Sequence, residues 1–305
     1  MNSVAVIMST YNGAWFFAPQ VESILEQEGV AVDLYIRDDG STDPVFLDML
    51  QDLESDDRVH ISRQDNVGVG NSFMQCLYSV PDTYDYYALA DQDDVWFKDK
   101  LARAIDRIAK LEGRVLYASN QMVVDQALRD PHKRFDRRPG TRCGDIIRGN
   151  VISGCTFVMS NALFRFLTDE ENRPSEALLR VRIHDAWIAV VAALFGQIVY
   201  DDDACLYYRQ HGGNVVGAES SSLVNISRRK LKYLTQAQSG AAVMCDELIR
   251  VFGGRLGICE GAVKAMAAYK RGVLSRFAML SHASFYKHEN EGGLMYALKA
   301  VMGKL

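Results

Sequence analysis

The chain has 305 residues, 48% apolar and 24% charged, which is long enough to bury a full core and ordinary for a globular protein. Its net charge of −5 argues against nucleic acid as the main partner, because a phosphate backbone demands a strongly basic surface. The longest apolar run, residues 186–195, is about half of what a bilayer-spanning helix needs, and residues 4–8 lack the length and basic leader of a signal peptide, so a cytoplasmic chain is expected.

Residues 4–8 are a β-branched run that reads as a buried strand, followed by the turn-rich loop Ser9-Thr10-Tyr11-Asn12-Gly13. A helix is expected from about 19 to 27, with Val21, Ile24 and Leu25 on one face. Residues 30–37 form a second strand and Asp38-Asp39-Gly40-Ser41-Thr42 the next loop. Asp43 as cap and Pro44 at the first helical position then open a helix. A third short strand covers 59–62, and Asn66-Val67-Gly68 leads into a helix through about Tyr78. Residues 84–90 are a fourth strand that runs straight into Asp91-Gln92-Asp93-Asp94. A helix over 98–111 aligns Leu101, Ile105, Ile108 and Leu111. Beyond Arg114 the pattern loosens. Residues 115–119, 156–159 and 205–209 read as strands, 183–195 as a helix, and 130–142, basic and with two prolines, as a mobile loop. From about Ser221 only helices are expected.

Strands alternating with helices at this spacing imply a mostly parallel sheet wrapped on both faces. Ligands of such sheets sit beyond the carboxyl ends of the strands, and the polar loops after the first, second and fourth strands all reach that edge. Three acids at the end of a buried strand repel one another unless a cation sits among them. Hard divalent ions such as Mg²⁺ or Mn²⁺ choose oxygen ligands and keep positions open for a substrate phosphate. The six cysteines show no C-x-x-C pair and read as reduced thiols. Charge is unevenly distributed. From Ile226 onward 13 basic residues face 5 acidic ones, a net +8, whereas the first 225 residues carry 21 against 34, a net −13.

The ordered set Ser9–Gly13, Asp38–Asp43, Asn66-Val67-Gly68, Asp91–Asp94 and His184-Asp185-Ala186-Trp187 resembles the family-2 glycosyltransferases with the GT-A fold. The resemblance covers roughly residues 3–215, and residues 208–217 look like a segment of bacterial rhamnosyltransferases. It implies inverting transfer of a sugar from a nucleoside diphosphate to a hydroxyl. Thr10, Tyr11 and Asn12 then lie where the family contacts the nucleotide. Asp39 matches the acid that accepts the imide N–H of uracil or thymine, a pairing an acceptor-only carboxylate suits. Gly68 supports the loop beneath the nucleotide, and Asp91 and Gln92 join the nucleotide-sugar site. Asp93 is expected to bind the metal, Asp91 the ribose or a metal-bound water, and Asp94 to cap the helix starting near 96. His211 is a further metal or phosphate contact, or holds only a local hydrogen bond.

Asp185 is the expected base, with a helix cap as its alternative; the family's usual Glu-Asp pair is His184-Asp185 here, which leaves the role of His184 open. Gly154, in an acceptor-side segment, allows close backbone approach. Trp187 is either a sugar platform or a core residue. Val263, Met266, Tyr269, Val273, Phe277 and Leu280 fall on one helical face beside basic residues, and Leu223, Ile226, Leu231 and Leu234 make a looser stripe. Such faces pack on the catalytic domain or lie on an anionic membrane. The chain therefore reads as a catalytic domain over 1–220, with a nucleotide-sugar half to 112 and an acceptor half from 113, and a helical region over 221–305. The expected activity is rhamnosyl transfer from dTDP-L-rhamnose to a surface polysaccharide or lipid-linked oligosaccharide. A UDP-hexose or UDP-N-acetylhexosamine transferase and a non-catalytic nucleotide-sugar-binding protein are the alternatives.

Overall fold

A computed structural model of the chain describes residues 1–150, 152–211, 240–289 and 291–305. One sheet runs through it. Strands β1 (Asn2–Thr10), β2 (Val30–Asp38), β3 (Val59–Arg63) and β4 (Tyr86–Ala90) are mutually parallel in the order β3-β2-β1-β4. Beyond β4 the sheet turns mixed. β8 (Val158–Ser160) is antiparallel to β4 and to β6 (Val115–Val124), and β9 (Gln197–Arg209) is parallel to β6. Two-residue strands close the sheet, β5 (Val95–Trp96) against β9 and β7 (His132–Lys133) against β6.

β1 shows why the sheet is buried on both faces. Val4, Val6 and Met8 enter one core with helices α1 (Ala14–Leu25), α2 (Pro44–Leu53) and α4 (Lys100–Ile108), while Ala5 and Ile7 enter the other. The second core holds α3 (Val69–Ser79), α5 (Cys143–Arg148), α6 (Asn161–Thr168), α7 (Glu176–Val181) and α8 (His184–Phe195). Ala241, Met244 and Leu248 from the helical residues 240–252 and Val263 and Met266 further on also join it.

Several elements differ from the sequence reading. α1 begins five residues before Pro19, which sits inside it and leaves a carbonyl one turn back, at the 89% exposed Trp15, to water. β9 spans thirteen residues rather than five. Its acidic run, left unassigned in the sequence, is strand, with register shifts opposite Ser119 and Asn120, and Asp201 accepts from Tyr117 Oη at 3.2 Å and faces Arg103 and Arg107. α4 starts at Lys100 with no side-chain cap, so Asp94 is not its cap; Asp94 is fully buried. The stretch 130–142 is held rather than loose: Arg134 N–H donates to the Gln121 carbonyl, and Arg138 pairs with Asp202. Asp43 does cap α2, accepting from Val45 N–H at 3.0 Å with Pro44 following. The stripe through Leu223 to Leu234 and residues 212–217 lie outside the described residues. All six cysteines are free. Among the described residues no helix is long and apolar enough to cross a membrane.

Candidate active site

The loops after β1, β2 and β4, the segment 150–154, the start of α8 and the end of β9 enclose a cleft of about 420 Å³. Thr10, Tyr11, Asp39, Gly68, Asp91, Gln92, Asp93, Gly154, His184, Asp185 and His211 all line it. These residues come from loops more than two hundred positions apart, and the sheet edge brings them together. Asn12 and Trp187 are not in the lining.

On the β1–β2 side the polar groups brace the loops. Asp39, 3% exposed, accepts on Oδ1 from Arg37 Nη1 at 2.5 Å and from Val67 N–H at 2.9 Å, and on Oδ2 from Gly68 N–H at 3.0 Å. A carboxylate has about four acceptor directions, so one remains. Gly68 itself has φ +85°, a left-handed conformation that suits glycine, and starts α3. Thr10 Oγ1 reaches Asp38, which also takes Ser41 Oγ and Ser41 N–H. Asn12 lies behind the lining. Its side-chain oxygen is taken by Thr42 N–H at 2.9 Å and Asp43 N–H at 3.0 Å, so it ties the first loop to the second. Gln92 lines the cleft, and its amide bonds the Tyr11 backbone in both directions, 2.9 Å from N–H and 3.3 Å to C=O. A Cβ at Gly13 would meet Gln92 Oε1 at 2.5 Å, which explains the glycine.

The acid cluster is held from behind. Gln20 Nε2 donates to the Asp91 carbonyl at 2.8 Å and Arg209 Nε to the Asp93 carbonyl at 3.0 Å, with Arg209 stacked 4.6 Å from the Phe16 ring. Burial, then the charges of Asp93 and Asp185, push the Asp91 carboxyl up to about 7. Burial also pushes Asp94 well above the usual range, with Asp93 and Asp91 adding to it. Beneath them lies Lys100, fully buried, its Nζ 2.6 Å from the Cys155 carbonyl and 3.1 Å from the Trp96 ring centre.

Two donor sets could hold a cation. Asp91, Asp94 and Cys155 offer ligand atoms within 4.8 Å of one another, but burial drives the Cys155 thiol far up, so it stays protonated and suits a hard ion poorly. Asp93 Oδ2 and His211 Nε2 are 2.7 Å apart at the cleft wall. That is close to the roughly 3 Å between neighbouring ligands on an octahedral ion with bonds of about 2.1 Å. The two side chains alone are an incomplete donor set, and Asp91 lines the same cleft.

Opposite stands Asp185, in the first turn of α8, where the helix dipole favours an anion. Its Oδ1 accepts from Ala186 N–H at 2.6 Å. Burial lifts its carboxyl to about 6, against the Ala186 and Gly154 N–H groups and the Arg182 and Arg134 guanidiniums. Gly154 is tightly fitted: a Cβ there would sit 2.9 Å from His184 Nε2 and 3.3 Å from Asp185 Cβ. His184, 4% exposed, stacks on Phe73 at 3.9 Å, and burial depresses it to about 3, so it is a neutral ring. Trp187 is a correction. It is fully buried and stacks on Phe252 at 5.7 Å, so it is core and offers no sugar platform. Residues two apart on a helix point about 200° apart, and with Asp185 at the cleft Trp187 must face inward.

Among the lining residues that sequence reasoning did not single out, Arg134 and Tyr208 stand near the acceptor-side loop. Arg134 reaches Gln121 Oε1 and Ser153 Oγ, both at 2.5 Å, and lies 5.6 Å from the Tyr208 ring, which also lines the cleft. The basic character of 130–142 was the only signal for Arg134, and it gave no position.

The family model described as glycosyl transferase family 2 matches residues 5–168, which carry the first four strands and the acid cluster. The chain belongs to glycosyl transferase family 2. Among curated relatives of the family, a dTDP-rhamnosyl transferase RfbG of Shigella flexneri is 29% identical over 224 residues, 70% of this chain and 75% of that protein. A putative teichuronic acid biosynthesis glycosyltransferase TuaG of Bacillus subtilis is 28% identical over 158 residues, 51% of this chain and 61% of that one. Among solved structures, S. aureus TarS 1-349 in complex with UDP superimposes with a TM-score of 0.57 at 18% identity, covering 98% of this chain and 81% of that chain. That likeness shows the fold, which is GT-A: an α/β sheet with flanking helices. The protein is thus a glycosyltransferase.

Proposed function

We propose that the protein moves a sugar from a nucleoside diphosphate to an acceptor hydroxyl with inversion, that the donor is dTDP-L-rhamnose, and that a divalent cation is required. The observation that carries this reading is the meeting of Asp91, Asp93 and His211 with Asp185 across one cleft. The relative named dTDP-rhamnosyl transferase supports the donor. The nucleotide lies over Thr10 and Tyr11, with the remaining acceptor of Asp39 for the imide N–H. Asp93 and His211, with Asp91 in the same cleft, would hold a divalent cation such as Mg²⁺ or Mn²⁺, which would supply positive charge against the diphosphate. Asp185 takes the proton of the acceptor hydroxyl as that oxygen bonds to the sugar's anomeric carbon. The bond from that carbon to the diphosphate breaks, and the nucleoside diphosphate leaves with the electron pair. Arg134 and the neutral His184 position the acceptor side. The acceptor is a surface polysaccharide or lipid-linked saccharide. Residues 1–220 form the catalytic unit, and 221–305 a helical region that supports its acceptor half.

The test is a panel of activated sugars with nucleotide release measured for each. Release from dTDP-rhamnose, abolished by a chelator and restored by Mn²⁺ or Mg²⁺, is the expected outcome. Turnover of UDP-hexoses but not dTDP-rhamnose overturns the donor; undiminished release in the chelator overturns the metal.

A further inference from the structure

The apolar stripe that sequence periodicity draws through Val263 to Leu280 is divided at Gly272. Val263, Met266 and Tyr269, before the glycine, are buried in the core. After it, helix α11 (Val273–Ser281) buries Met279 and leaves Val273, Leu274 and Phe277 in solvent, Leu274 at 87% exposure. Helix α13 (Gly293–Val301) packs beside α11 and repeats the arrangement. Tyr296 and Ala300 point inward, and Leu294, Met295 and Leu298 outward, Leu294 at 77%. At 3.6 residues per turn the exposed apolar positions of each helix lie opposite its buried ones. Neither helix is a frayed end. Tyr296 Oη donates to the Met279 carbonyl at 2.9 Å, and Tyr269 Oη to the Ala300 carbonyl at 2.9 Å.

Soluble monomers rarely expose large aliphatic side chains in such density without a partner. Charge says which partner. From 271 to the end stand five basic residues, Arg271, Arg276, Lys287, Lys299 and Lys304, against Glu289 and Glu291. Glu291 is already occupied by Arg148 and Lys299, each at 2.7 Å. Arg271 and Lys304 are exposed beside the apolar faces. We propose that α11 and α13 dock on an anionic bilayer surface, their outward Leu, Phe and Met side chains entering the headgroup layer and the flanking basic groups meeting lipid phosphates. A twofold contact between copies would set these basic residues against themselves. The acidic first 225 residues, net −13, would be kept away from the lipid by the same polarity.

The experiment is co-sedimentation of the full chain with vesicles, in the absence of donor and acceptor, so its outcome is independent of the transfer reaction. Vesicles of phosphatidylcholine with phosphatidylglycerol should capture the protein, those of phosphatidylcholine alone should not, and raising salt should release it. The double variant Leu274→Glu, Leu298→Glu should bind at least about tenfold more weakly while melting at the parent's temperature, because both positions are exposed. Capture independent of lipid charge, equal capture of the variant, or no capture overturns the proposal. So does a dimer in light scattering that the same double variant dissociates, which would make the face a self-interface.

Discussion

Asp185 lies in the first turn of α8, and its environment makes the reaction pH-dependent. Burial raises its carboxyl to about 6. Below that pH the group is protonated and cannot accept a proton, so kcat/KM should climb as pH rises through about 6 and then level off. Asp185→Asn should lack this limb and run about 10² to 10⁴ slower with donor affinity kept; a full-rate Asn variant means another base. A Gly154→Ala substitution should lower kcat and also cost about 1–3 kcal/mol of stability, since its Cβ would meet the buried His184 ring at 2.9 Å from Nε2. At this scale the sequence revealed positions better than partners. Thr10, Asp39 and Asp93 are visible as polar residues after strands, and Asp185 as an acid at the start of a helix. That Asn12 and Gln92 spend their amides on neighbouring loops is not, because the backbone groups they bind lie about thirty to eighty positions away.

The same holds for whole elements. Periodicity finds β1, β2 and the cap of α2, because alternation, proline and aspartate act locally. It finds only the end of β9, because three consecutive aspartates carry no strand pattern; a register shift and the partners of Asp201, which are Arg103, Arg107 and Tyr117, accompany their place in the sheet. It fails at Gly272, since the repeat continues across the break in the helix. Trp187 was left between platform and core, although the helix itself contained the answer in the rotation between residues two apart. The cost of that core position is measurable. Trp187→Ala should destabilise the fold by about 3–5 kcal/mol in denaturant unfolding. Unchanged stability with a raised acceptor KM would restore the platform reading.

At the scale of the molecule the sheet divides the labour. Its parallel half delivers three loops to one rim, and its mixed half, through β8 and β9, brings Gly154 beside Asp185 and His211 against Asp93. The parallel half was legible from strand–helix alternation. The mixed half was legible only in part: the strands at 115–119, 156–159 and 205–209 could be read, but the two-residue β5 and β7 are too short to carry a pattern. The charge split between the two ends of the chain was visible from composition, and the surface it serves emerged only when the fold exposed α11 and α13. All of this turns on the cleft gripping a cation together with a nucleoside diphosphate. Calorimetric titration of dTDP into the protein with Mn²⁺ present, beside the Asp93→Ala variant, tests it most directly. Clear binding that weakens at least about tenfold in the variant or without Mn²⁺ is expected; absence of heat, or affinity indifferent to both changes, contradicts it.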